Sequence, residues 1–206
     1  MQPADIYTWL TARPNLGCDG FDSHVAACII SLALWESETG RLRVTDALGL
    51  DGDVLADLAT EMFPHTAAVF ARLRGEAASA PPEDEVCLRD LLRRSATEGS
   101  RFQFILADMV ARRCLRPNHL WQDLGLRNRR ELGWMLMRHF EPLASRNRAD
   151  MKWKKFFYRT ICRDDGYMLC AAPSCAECDD FDNCFGEETG ESLLAAARRT
   201  ADRAAA

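Results

Sequence analysis

Long apolar runs, strand-like alternation and recognisable catalytic motifs are all missing from this chain of 206 residues. The longest apolar stretch, Val25 to Trp35, is interrupted by Ser31 and falls short of the roughly eighteen residues that a bilayer span needs. Met1–Leu10 lacks the basic start and extended apolar segment of a secretory signal, so the expected compartment is the cytoplasm. There is no Ser/His/Asp set, phosphate-binding glycine loop or metallohydrolase motif, and the C-x3-C-x2-C spacing of many radical enzymes is absent. Asp179, Asp180 and Asp182 superficially suggest calcium, but the glycine and terminal glutamate of an EF-hand loop do not follow. A catalyst is not the expectation.

Cysteine, by contrast, is abundant. Nine thiols in a cytoplasmic chain argue for metal or redox chemistry before a disulfide framework. Four of them, Cys170, Cys175, Cys178 and Cys184, follow the spacing C-x4-C-x2-C-x5-C among small, acidic and turn-forming residues. Such a loop has few apolar groups to hold it together, and four thiolates around a metal centre would supply that cohesion. The x2 spacing lets neighbouring thiolates reach adjacent corners of an iron–sulfur cubane. Zinc is the rival, since four thiolates satisfy its tetrahedral preference, but structural zinc sites more often pair two knuckles across a longer spacer. Spacing alone puts iron–sulfur ahead of zinc. Cys28 and Cys87, among apolar helical positions, read as small core residues.

The rest of the chain signals helix throughout. A largely apolar helix is expected from Asp22 or Ser23, as caps, to about Thr39, stopped by Gly40. Further helices are expected at Asp53–Phe63, His65–Arg74, from Glu83 onward, Arg101–Leu115, His119–Leu124 capped by Asn118, Arg129–Phe140 and Asp150–Cys162. In the last of these, Trp153, Phe156, Phe157 and Thr160 share one face. Leu-Gly-Leu occurs twice, at Leu48–Leu50 and Leu124–Leu126, each time leading to a helix that stops near Phe and Pro. The predicted fold is an all-α, multi-helix bundle with an irregular C-terminal cysteine-rich metal-binding loop. Its organisation is a helical domain over 1–163, a cluster-binding segment over 164–190 and a flexible or helical tail over 191–206.

Charge is segregated beneath a net value of −5. Residues 1–111 hold 17 Asp/Glu against 9 Lys/Arg, residues 112–163 hold 4 against 14, and the remainder holds 10 against 3. The basic middle suits nucleic acid, an oxyanion, an anionic cluster or an acidic protein partner; it equally suits solvated helix faces.

Three stretches together carry a resemblance: Arg116-Pro-Asn-His-Leu-Trp-Gln-Asp-Leu-Gly-Leu, Met151-Lys-Trp-Lys-Lys-Phe-Phe-Tyr-Arg and the terminal cysteine motif running into Phe185-Gly186. Over about residues 40–190 the chain resembles the NifQ family. The resemblance implies a cytoplasmic molybdenum–iron–sulfur (Mo–Fe–S) protein that donates molybdenum for nitrogenase iron–molybdenum cofactor assembly, working with the NifEN scaffold and NifH. It also implies that Cys170, Cys175, Cys178 and Cys184 bind the cluster. Molybdenum commonly takes more ligands than a tetrahedral iron corner, so a further exchangeable ligand is expected. His119, in the Arg-Pro-Asn-His motif, leads the candidates, followed by Cys114 and Cys162. Lys152, Lys154, Lys155 and Arg159 are candidates for contacting an anion or an acidic partner.

Two other readings stand beside this one. Asp123-Leu-Gly-Leu-Arg127 leading to Glu131-Leu132 resembles the turn of a DNA-binding helix-turn-helix, which would make an iron–sulfur transcriptional regulator. Its second helix, rich in Trp134, Met135, Leu136 and Met137, leaves few side chains to read bases. A simple iron–sulfur electron carrier fits the cysteine spacing as well as a metal donor does.

Overall fold

The structure is a computed structural model that describes residues 1–13, 15–164, 184–188, 190, 192 and 194. Its body is organised around α2 (Gly20–Glu38), in which nine consecutive residues, Val25–Ala33, are buried. A helix apolar on every side can be accommodated only inside a bundle, and α2 is covered by α1 (Pro3–Thr11) and α3 (Val44–Leu48) among others. The cap of α2 is Asp19, whose Oδ1 accepts from the Phe21 and Asp22 N–H groups at 2.9 and 3.1 Å. This is earlier than the sequence suggests. The first turn is only partly buried, so apolar periodicity becomes visible only at Val25. Asp22 is used elsewhere, 3.1 Å from His139 Nε2. At the other end the expectation holds, with Thr39 as C-cap and Gly40 at φ 70°.

After α3, α4 (Gly52–Met62) leads through 3-10 turns and α5 (Ala67–Phe70) to an extended crossing and α6 (Glu83–Arg94). Helix α7 (Arg101–Cys114), capped by Ser100, packs on α6. Charges are sealed between them. Glu85, fully buried, lies 2.6 Å from Arg89 and 2.7 Å from Arg112, while Asp108 binds Arg93 at 2.6 Å. Arg113, 1% exposed, meets both carboxylate oxygens of Glu36 at 2.8 and 3.0 Å and ties α7 to the end of α2. Burial lowers the Arg113 pKa, and Glu36 opposes that shift.

The second Leu-Gly-Leu lies between α8 (Leu120–Asp123) and α9 (Arg129–His139), which is followed by α10 (Glu141–Ala144). The two corners match in backbone detail. Gly49 and Gly125 have φ 66° and 72°, the left-handed region where a Cβ is unfavourable. Leu50 N–H returns to Thr45 C=O, and Leu126 N–H to Trp121 C=O, closing both turns alike. Phe63 and Phe140, which end the following helices, share φ near −135° (−131° and −138°) and ψ of 61° and 43°. The chain therefore builds the same corner twice.

Helix α11 (Trp153–Asp164) buries Trp153, Phe156, Phe157 and Thr160, the face read from the sequence, and packs on α6. No strand occurs among the described residues. The molecule is all-α, as expected.

Candidate metal centre

Cys170, Cys175 and Cys178 lie outside the described residues. Cys184 lies within them, half-buried and packed against the core, so the flank after the last thiol can be followed. The Lys152 N–H donates to the Cys184 carbonyl at 2.8 Å. Phe185 to Glu188 then line a cavity of about 340 Å³ together with Arg129 and Asp150. Beyond it, Gly190 lies against the Gln122 side chain, Ser192 is buried and Leu194 packs beside Gly125. The return segment is docked on the α8–α9 corner and on the start of α11.

Both surfaces are fixed by local chemistry. Lys154 places all three N–H donors on protein acceptors: Arg116 C=O at 2.6 Å, Asn118 C=O at 2.7 Å and Asp123 Oδ2 at 2.5 Å. Asn118 Nδ2 reaches the other Asp123 oxygen at 2.9 Å, and Arg116 binds Glu36 at 2.9 Å. Lys154 therefore joins Met151–Arg159 to the Arg-Pro-Asn-His turn and leaves no donor for an external anion. Lys152 is held through its backbone to Cys184 and is half-buried; Lys155 and Arg159 are exposed on α11.

Arg129 is the second junction. Its Nη2 lies 2.9 Å from the carbonyls of Asp150 and Met151 and 2.8 Å from Asp150 Oδ1, and its Nη1 lies 2.8 Å from Glu188 Oε1. Burial pulls the guanidinium pKa down, but Asp150 and Glu188 more than offset it and leave it raised. Glu188 is 5% exposed, and its Oε2 is buried with no hydrogen-bond partner among the described residues. His119 Nδ1 stands 3.6 Å from Glu188 Oε1.

His119 is itself the N-cap of α8, with Gln122 Oε1 accepting from its N–H at 3.2 Å; the cap is one residue later than the Asn118 expected. Cys114 is buried beneath Lys154 and Asp123, and burial pushes its thiol up to about 12. As placed, it is a packed core thiol. Cys162 is half-buried near the end of α11. Sequence reasoning missed both Glu188 and its partner Arg129. The available signal was an acidic residue four positions beyond the last motif cysteine.

Among the described residues no three His, Cys, Asp or Glu side chains converge as a metal site. His119 and Glu188 lie together, 3.6 Å apart, on the segment's docking surface, while Cys184 is tied to it through its backbone. A DNA-reading unit fits less well: α8 is a single turn, and Arg129 is consumed within the fold.

A helical body closed over a cysteine-bearing return segment is the class of protein that this fold and motif define. The profile of one family, NifQ, matches residues 25–186. Among relatives, a protein named as a NifQ homolog in Sinorhizobium fredii is 42% identical over 84% of this chain and 75% of its own. The NifQ proteins of Azotobacter vinelandii and Rhodobacter capsulatus are 37% and 36% identical, over 68% and 78% of this chain and 78% and 87% of theirs. No solved structure matches. The chain belongs to the NifQ family.

Proposed function

We propose that this chain carries a molybdenum–iron–sulfur cluster as cargo and passes molybdenum into assembly of the nitrogenase iron–molybdenum cofactor. Family membership supports the coarser part, a role in that cofactor's biosynthesis. The finer part is supported by one observation: the described end of the cysteine motif, the start of α11 and the Arg-Pro-Asn-His turn are linked. Cys184 is bound to the start of α11, Lys154 binds α11 to the Arg-Pro-Asn-His turn, and Glu188 stands between that turn and Arg129. Thiolates from Cys170, Cys175, Cys178 and Cys184 would hold the cargo, and His119 would complete the molybdenum coordination. The chain acts as an accessory donor, not a catalyst, in the cytoplasm, with NifEN and NifH as receiving partners. None of the described helices is long and apolar enough to cross a membrane.

Anaerobic purification after growth with molybdate, followed by metal analysis and X-ray absorption at the molybdenum and iron edges, tests the reading. Both metals in the same protein are expected; zinc alone at about one per chain would overturn it. His119→Ala is expected to lower molybdenum while leaving iron largely in place. An unchanged molybdenum-to-iron ratio would remove His119 from the ligand set.

A further inference from the structure

Helix α9 has a second face that the fold leaves open. Its inner side carries Glu131, Leu132, Met135 and Leu136 into the body of the molecule. On the outer side Arg130, Gly133, Trp134 and Met137, spaced i, i+3, i+4 and i+7, form one patch. Trp134 is 60% exposed and Met137 46%, whereas the other four tryptophans are buried or half-buried. Single exposed apolar side chains are ordinary, but a tryptophan and a methionine one turn apart make a continuous apolar surface.

Gly133 is an independent observation. Glycine weakens a helix interior, and here neither φ nor crowding requires it: a Cβ would find nothing within 4 Å. An alanine would suit this chain better. What the glycine provides is a notch beside Arg130 and Met137, low enough for another chain to approach the helix backbone.

The charge of the patch narrows what covers it. Arg129 and Arg138, elsewhere on α9, each meet carboxylates. Arg130 is exposed and forms no ion pair among the described residues, and Arg127 is exposed just before the helix. A second copy packed α9 on α9 would bring one basic patch against another, since a two-fold contact uses the same surface twice. An acidic surface meets these arginines favourably. Tryptophan, methionine and arginine are enriched at protein interfaces, and tryptophan and arginine carry much of their binding energy.

We propose that the outer face of α9 is a docking surface for an acidic protein partner. Trp134 is seated in an apolar pocket of that partner, Gly133 admits its chain and Arg130 meets a carboxylate. The inference rests on the carrier reading above and places the receiving protein next to the cargo segment. Arg129, the residue before Arg130, reaches Glu188 on the return segment that holds Cys184.

Full-length protein and its Trp134→Ala, Gly133→Ala and Arg130→Glu variants are titrated anaerobically against purified NifEN and, separately, NifH by isothermal calorimetry. Arg72→Glu, on the exposed 3-10 turn after α5, is the matched charge control. Wild type is expected to bind at least one of the two proteins. Trp134→Ala should weaken that binding by about tenfold or more. Arg130→Glu should weaken it and flatten its salt dependence, and Arg72→Glu should leave it unchanged. Gly133→Ala should raise the melting temperature and yet weaken binding by about fivefold or more, which a purely structural role would not do. Wild-type affinity in both Trp134→Ala and Gly133→Ala would overturn the docking surface and leave the carrier reading standing. A dimer of this chain that is lost in Trp134→Ala, seen by analytical ultracentrifugation, would assign the face to a second copy and also overturn it. No binding of wild type to either protein would overturn this inference together with the choice of partners, while metal analysis still judges the cargo.

Discussion

Lys154 shows how far a residue's role can depart from its charge. In the sequence it is one of four basic residues near a cysteine loop, available to any anion. In the fold its ammonium is a three-way bolt between Arg116, Asn118 and Asp123, and the Asp123 side chain is only 2% exposed. Removing the lysine strands a buried carboxylate, so Lys154→Met should destabilise the fold by about 3 kcal/mol, measured by urea denaturation of the purified protein. A change within experimental error would mean that solvent reaches Asp123. No sequence pattern distinguishes such a lysine from Lys155, one residue further on and exposed. The neighbours that saturate Lys154 lie more than thirty residues away. Glu188 was equally hidden, because its partner Arg129 is distant in the chain.

At the scale of elements, legibility was much better. The buried α2, the Trp153–Phe156–Phe157–Thr160 face of α11 and the Gly40 stop follow from apolar spacing and glycine placement, which are local properties. The twin corners were visible as twin Leu-Gly-Leu strings, and the structure adds that their backbones agree through the terminal Phe. Gly125 is the stricter of the two for the site, since its corner presents His119, Gln122 and Arg129. A methyl group there would meet the Cys28 carbonyl oxygen at 3.0 Å and Leu32 at 3.2 Å, in a left-handed conformation. Gly125→Ala is therefore expected to cost about 2 kcal/mol, the left-handed backbone penalty with some repacking added. Thermal unfolding would read it as a lower melting temperature. What spacing could not give were the first turn of α2 and the one-residue shift at His119, because caps are decided by side-chain geometry and not by periodicity.

Across the whole molecule, the charge segregation acquires a different meaning. Acidic residues of the first half pair with basic residues of the middle: Glu36 with Arg113 and Arg116, Glu85 with Arg112, Asp19 with Arg138. Much of the positive charge that suggested an external polyanion is neutralised internally. Such pairing makes stability depend on carboxylates remaining ionised. Asp46, held within the first half by Arg43 and Ser79, shows the same dependence. Burial raises its pKa, but bonds from Ser79 and Arg43 prevail and hold it at about 2, below its ordinary 3.8. The folded state thus binds this proton less readily than the unfolded chain. Its contribution is complete above 3.8 and is lost as pH falls toward about 2. Asp46→Asn should lower stability near neutrality and flatten the acid limb of a stability–pH curve. An acid limb identical to wild type would assign the loss to other carboxylates.

The attachment points around the thiol-bearing segment have one more consequence. Asp164, the last residue of α11, is held by Arg94 at 3.2 Å, and Cys184 is held by Lys152, one residue before α11 begins. The chain therefore departs from one end of a twelve-residue helix and is recaptured at the other, about 18 Å away at 1.5 Å per residue. The two described residues that bracket the other motif thiols, Asp164 and Cys184, are thus anchored about one helix length apart, and part of the entropy of closing a loop between them is removed before any metal arrives.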